Sequence, residues 1–310
     1  MKSFVSKKFM KNFFKVFSLS SSIVISSFIT NKVNALEVYE CPESGSANAT
    51  EAYIRNLDST DTSWGSCQAT PDKFELTMYE MGLCTSDPIS GSAGSKIWDK
   101  STCVTTMIDS SGVTVDLAPG SSSSKTAALP SSETRPPSGT YTHGFVLLSN
   151  VFGLKGSYTF SNGTRYYSTP GIDQDGTPYG LPDIGNAPAQ DHTDVVDTVG
   201  PNPYPMEMSP VEFPASQGGG KVSALLLKNC DHISNQCTGT SPKATSAAEA
   251  KRIFAVFETN AGVPVVITDN TTGLEIELSV KNAGYTLGVD EGQGVTYFGS
   301  APFRPKFTTF

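Results

Sequence analysis

The chain is patterned in short apolar runs with a period of two, separated by clusters of Gly, Pro, Asn, Asp and Ser. Apolar positions recurring every three to four residues are nearly absent, so strands rather than helices are predicted. The run KFELTMYEMGLC, residues 73–84, places Phe74, Leu76 and Met78 on one face and Glu75, Thr77 and Tyr79 on the other. CVTTMID and GVTVDL read as two strands joined by a tight turn at Asp109-Ser110-Ser111-Gly112. TYTHGFVLLSN is a further strand. GSYTFSNGTRYYST is a hairpin, because Asn162-Gly163 suits the two positive φ values of a type I′ turn. KVSALLLK, RIFAVFET, VPVVITD, LEIELSV and GVTYF form a last group, and LEVYE is an opening strand. One short helix is expected at SAAEAKR, where Ser246 and Glu249 have capping-box spacing. The predicted class is all-β: a disulfide-stapled antiparallel β-sandwich of Greek-key or jelly-roll type, as one large or two packed sandwich domains, with little helix.

Composition shifts divide the chain further. Residues 36–117 form a disulfide-rich β segment, and residues 118–139 are a Ser/Pro-rich linker or long surface loop. Residues 140–310 form the main sandwich. Within it, residues 169–220 are so broken by Gly, Pro and Asp that they read as one long loop of the functional or disordered kind. At the entry to the main sandwich, LPSSETRPPSGTYTH contains Pro137, Gly139 and Tyr141 and resembles the P-x-G-x-Y lead into a strand of many extracellular Greek-key sandwiches. The resemblance covers about a dozen residues and belongs to no single family.

The first 35 residues change the setting. Lys2, Lys7, Lys8, Lys11 and Lys15 precede an apolar, serine-diluted stretch from Val16 to Ile29, and Val33-Asn34-Ala35 has the form of a cleavage site. Residues 1–35 are therefore expected to be a secretory signal peptide, with no transmembrane span in the mature chain. The expected location is secreted, extracellular or cell-surface, or periplasmic in a Gram-negative host. All six cysteines follow the leader. Chain proximity suggests the pairs Cys41–Cys67, Cys84–Cys103 and Cys230–Cys237, one of fifteen pairings open to six cysteines. Without the six lysines of the leader, 16 basic residues face 30 acidic ones, a net charge of −14. Such a surface repels a phosphate backbone and argues against nucleic acid.

Compact catalytic motifs are poorly supported. No G-x-S-x-G occurs, and the histidines, His143, His192 and His232, stand in no triad-like spacing. Only Trp64 and Trp98 could line a sugar cleft of the glycosidase kind. A non-enzymatic protein is expected, with a secreted hydrolase the least favoured reading. GIDQDGT brings Asp173 and Asp175 together as part of a calcium loop, but without the full ligand pattern or a closing Glu. Otherwise these residues belong to a solvated turn, so no cofactor is required and calcium is the one candidate.

The tail, GSAPFRPKFTTF, carries Phe303, Phe307 and Phe310. Counting back by twos from Phe310 gives Thr308, Lys306 and Arg304, which fails the alternation of a lipid-facing barrel strand. Two readings remain: a closing strand that buries its rings, or a segment that meets a neighbouring subunit. The leading functional expectation is an exported structural or adhesive cell-surface protein. It would be a self-assembling subunit of a fibre, pilus-like appendage or coat, with copies of itself or other surface subunits as partners. Its candidate contacts are Leu36, Val38, Tyr39, Phe303, Phe307 and Phe310. The alternative is a secreted module for a glycan or small ligand, with Tyr158, Tyr166 and Tyr167 as a stacking surface.

Overall fold

The computed structural model describes residues 36–57, 63–118, 134–173, 175–200, 202–215, 218–228 and 243–310. Its strands are β1 (Leu36–Glu37), β2 (Trp64–Ala69), β3 (Lys73–Cys84), β4 (Ile89–Ser90), β5 (Ile97–Trp98), β6 (Cys103–Asp116) and β7 (Gly139–Tyr141). Next come β8 (His143–Ser149), β9 (Val151–Lys155), β10 (Ser157–Thr159), β11 (Arg165–Ile172), β12 (Pro178–Ile184), β13 (His192–Val195) and β14 (Glu207–Glu212). The last are β15 (Lys221–Lys228), β16 (Ala250–Glu258), β17 (Val265–Ile267), β18 (Leu274–Ser279), β19 (Tyr285–Asp290), β20 (Gly294–Ser300) and β21 (Arg304–Thr309). The fold is nearly all β, as the alternation predicts. Among the described residues the α-helical content is α1, Glu51–Arg55, started by Thr50, whose side chain accepts a hydrogen bond from Tyr53 N. The helix expected near Ser246 is a single 3-10 turn, Ala247–Glu249. Glu249 reaches back to Thr245 there, and Ser246 makes no side-chain cap.

Two sheets enclose the main core. One has nine strands, ordered β1-β14-β15-β16-β8-β3-β9-β13, with β6 on β3; the other has six, ordered β10-β11-β12-β20-β19-β2. Phe74, Leu76, Val146, Leu148, Leu226 and Phe257 of the first meet Tyr158, Tyr166, Tyr285, Leu287 and Phe298 of the second. The other face of the first sheet is also covered. Phe145, Leu147, Leu225 and Phe254 pack there beneath Ile89 and Trp98 from the excursion between β3 and β6. Burial on both faces explains why HGFVLLS and KVSALLLK are continuous apolar runs and not alternating ones. Residues before and after 118–139 share this sheet, since β3 pairs with β6 on one side and with β8 and β9 on the other.

Three expectations change. The segment 169–220 is not one loop: it holds the end of β11, then β12, β13 and β14. Pro170, Pro178 and Pro182 pair with Gly180, Ile172 and Ser168, so their missing N–H groups fall on one alternating set of positions and the other set carries the ladder. Pro210 sits where the β14–β15 register shifts, a bulge that needs no donor. The Asn162-Gly163 turn is a three-residue loop in which Phe160 N bonds Thr164 O and only Gly163 has positive φ, at 86°. The Asp109–Gly112 turn joins no hairpin. Both halves of β6 run along β3, and the four residues bulge out between the pairs Met78–Val113 and Glu80–Ile108.

Cys41–Cys67 and Cys84–Cys103 are disulfides, as chain proximity suggested. They are consistent with an oxidising compartment. Cys230 and Cys237 lie outside the described residues. No helix among the described residues is long and apolar enough to cross a membrane.

β8 and β9 are nearly one strand, bent at Asn150, and the bend carries the chain from β16 to β13. Asn150 is 3 % exposed. Its side-chain amide donates to Val196 O at 3.0 Å and Ala250 O at 3.1 Å, tying β13 to β16 across the corner. In Asn150→Leu both carbonyls would lose that donor in a buried setting, so a loss of about 2–3 kcal/mol is expected by urea denaturation. A loss below about 0.5 kcal/mol would mean that the backbone alone holds the corner.

Candidate functional site

The residues singled out in the sequence do not form one surface. Tyr158, Tyr166 and Tyr167 are buried, so the stacking-platform expectation is corrected. The Tyr158 hydroxyl donates to Pro42 O, and its ring meets Phe160 edge-on at 5.6 Å. Tyr166 packs edge-on against Phe160, while the Tyr167 hydroxyl donates to Asp183. Period-two alternation had put these rings on strands but could not say which face was covered.

The tail rings divide likewise. Phe303 is buried against Phe74 and Phe257 at 6.1 and 5.6 Å. Phe307 fills a small core with Leu83, Tyr141, Val265 and Ile267. Gly144 makes room for it, because a Cβ there would lie 2.3 Å from the ring. Both rings are interior, which corrects their assignment as contacts to a neighbour; Phe310 remains exposed. At the other end, β1 lies parallel to β14 through Leu36–Val211, Val38 is buried and Tyr39 is half-buried.

Asp173 belongs to the β11–β12 hairpin tip. Its Oδ1 accepts from Asp175 N and Thr177 N, both at 2.8 Å, and Gly176 beside it has positive φ. One oxygen of the proposed ion ligand therefore caps its own turn. Asp197 lies within the field of Asp173 and Asp175. Burial first, and then those charges, push its carboxyl above the ordinary range. Among the described residues no group of three or more His, Cys, Asp or Glu is arranged to hold a metal ion.

His192, on β13, is 4 % exposed, and neither ring nitrogen makes a hydrogen bond. Its Nε2 faces the backbone of Gly180, where a Cβ would come within 2.5 Å. Asp194, two residues on, accepts from Ser300 N and Oγ at 2.8 and 2.6 Å. Burial pushes the Asp194 carboxyl up and the His192 ring down to about 4. His143 instead shares a hydrogen bond with the Thr142 hydroxyl, and His232 lies outside the described residues.

The feature that sequence reasoning missed is the outer edge of β6. Its inner edge pairs with β3 from Glu75–Asp116 to Cys84–Cys103, and the disulfide locks that last pair. Among the described residues its extensive contacts are with β3 alone. Asp109 Oδ1 accepts from Ser111 N and Gly112 N inside the bulge, and Asp116 Oδ1 accepts from Phe74 N and Ala118 N. Both carboxylates of the strand are thereby engaged locally. The stretches Cys103–Ile108 and Val113–Val115 carry no charge and no proline. On the outer side, Thr106 O accepts from Thr134 N at 3.0 Å. The hairpin reading had hidden this edge, because it paired the two halves with each other. Edge strands are ordinarily guarded by lysine, proline, a bulge or cover; among the described residues β6 has its bulge and the one contact with Thr134.

The edge starts beside a buried ion pair. Lys100 Nζ bonds both oxygens of Glu80, which is 1 % exposed, at 2.7 and 2.8 Å, and it sits over the rings of Trp98 and Phe145. Thr105 of β6 donates to the same carboxylate. Two strands and the 85–102 excursion are thus joined at one charged point.

No protein-family model matches the chain, and no curated protein or solved structure matches it.

His192 sets a pH dependence. The unfolded chain regains the ordinary imidazole value of 6.5, so it takes up a proton before the folded chain does as pH falls. Its contribution is complete above about pH 6.5 and is lost progressively down to about pH 4, a total of about 3 kcal/mol. Asp194 acts with the opposite sign, because the folded chain keeps its proton to higher pH. Urea denaturation of wild type and His192→Phe at a series of pH values from neutral to acid separates the two. The variant should lose less stability on acidification; parallel curves would show that His192 does not set the acid limb.

Proposed function

We propose that this chain is an exported structural or adhesive protein of the cell surface, which assembles with further copies of itself through the outer edge of β6. The observation that carries the reading is that edge: a fourteen-residue strand, uncharged along Cys103–Ile108 and Val113–Val115, fixed to β3 by a disulfide. Strand addition at such an edge gives affinity through main-chain hydrogen bonds and needs little side-chain specificity. The leader-like first 35 residues, the disulfides and the acidic composition support residence outside the cytoplasm. The position of the edge also revises the expected mechanism. Assembly runs through the middle of the chain, while Val38, Phe303 and Phe307 serve the core. The proposed assembly has no cofactor, so chelation of divalent ions should leave it intact.

The test is negative-stain imaging of native material from the cell surface, beside size-exclusion of purified residues 36–310. Fibres, sheets or a defined ring are expected. Thr114→Lys and Thr114→Pro, at an exposed position in the uncharged stretch Val113–Val115 of β6, place a charge or remove a donor there and should leave the circular dichroism spectrum unchanged and give monomers. Monomers in wild type from both sources would overturn the reading, as would assemblies unaffected by either substitution.

A further inference from the structure

A cavity of about 430 Å³ opens between two facing turns and the last strand, away from β6. One turn is Gly218-Gly219-Gly220, leading into β15, with φ of 92°, 67° and 91°. The other is Asn260-Ala261-Gly262, after β16, with φ of 43°, 59° and 88°. The two turns meet where Gly219 and Gly220 face Ala261, all three left-handed. A Cβ on Gly220 would lie 3.2 Å from Ala261 Cα, so the glycines let the turns approach. Ala261 holds this conformation without being glycine, at a cost of about 1–2 kcal/mol. Asn260 has a structural use for it. Its side-chain amide donates to Phe307 O at 2.9 Å and accepts from Phe307 N at 3.0 Å, capping the free edge of β21 in the manner of a one-residue strand.

The charge lining the cavity runs against the rest of the molecule. Lys221, Arg304 and Lys306 face it, against a single lining carboxylate, Glu258, in a chain of net charge −8. Lys221 Nζ lies 4.0 Å from Glu258 Oε1, a loose pair. Lys306 stands opposite Glu277 across the β18–β21 ladder, yet it forms no ion pair among the described residues. Phe213 and Phe257 are buried behind the cavity, and its accessible apolar side is given by exposed Ala261 and half-buried Pro305. The volume lies within the range of small-ligand sites, which combine apolar walls with a few convergent polar groups.

We infer that this cavity binds a small organic carboxylate with a hydrocarbon face, of the kind presented by the uronic acid units of acidic polysaccharides. The carboxylate is met by Lys221 and Lys306, and the ring lies against Ala261 and Pro305. The binding is reversible and involves no covalent step. It stands apart from the β6 edge, so it survives if assembly fails and fails without affecting assembly.

The experiment is isothermal titration of the full mature chain, at fixed ionic strength, with glucuronate, an oligomer of it, and glucose as the neutral analogue. Glucuronate should bind and glucose should bind at least tenfold more weakly. Lys306→Gln and Lys221→Gln should each weaken glucuronate several-fold while leaving the melting temperature unchanged. Glu258→Gln should strengthen it, an effect that a merely structural role for these residues does not produce. Binding of the oligomer but not the monomer would place the ligand as a polymer segment and still requires the same lysine dependence. Equal binding of glucose and glucuronate, or glucuronate binding indifferent to all three substitutions, or no binding of any sugar, would overturn the inference.

Discussion

The double pairing of β3 is the constraint on which the rest of the structure rests. Its lower end meets β9, its upper end meets β8, and its far side runs along β6. A strand bonded on both edges and, from Glu80 to Cys84, buried on both faces has few places for polar groups. The one charge it does bury, Glu80, is matched by Lys100 and Thr105, so a carboxylate survives in the interior because it is fully engaged. From β3 outward, the bend at Asn150 carries the sheet around the core, and the excursion 85–102 returns to cover its second face.

Much of this architecture is legible in the sequence, for definite reasons. The bounds of β3 follow from the alternation in KFELTMYEMGLC. The two described disulfides follow from the local spacing of their cysteines. Tyr141 donates its hydroxyl to Pro137 O, so the P-x-G-x-Y stretch does lead into a strand with its aromatic tied back. What could not be read is what pairs with what. Period two says that a residue points to a face, not whether that face is covered, which is why Tyr158, Tyr166 and Phe307 were candidates for contact and turned out to be core. Pro and Gly in 169–220 also concealed β12, β13 and β14, because a proline breaks a strand only where its N–H is needed.

The two candidate surfaces differ in how the chain builds them. The β6 edge is defined by omission: a strand without the usual charged guards, whose own carboxylates are turned inward to local backbone donors. The cavity beside β21 is defined by accumulation, in glycine, left-handed turns and lysine. Nothing in local periodicity marks either one. An edge arises only when the partner of each strand is known, and the cavity joins residues from 213 to 307.

The Cys84–Cys103 cross-link has a mechanical meaning. It bonds opposite residues at one end of the β3–β6 ladder. A pull applied along β6 would load the ladder in shear, with its hydrogen bonds sharing the force side by side, and the covalent tie stops the strand from peeling at that end. The load then passes into β3 and, through β8, into the middle of the nine-stranded sheet. Strain on β6 is carried by a strand bonded along both of its edges, and the bulge at Asp109–Gly112 supplies four residues of slack before the other end of the ladder is stretched.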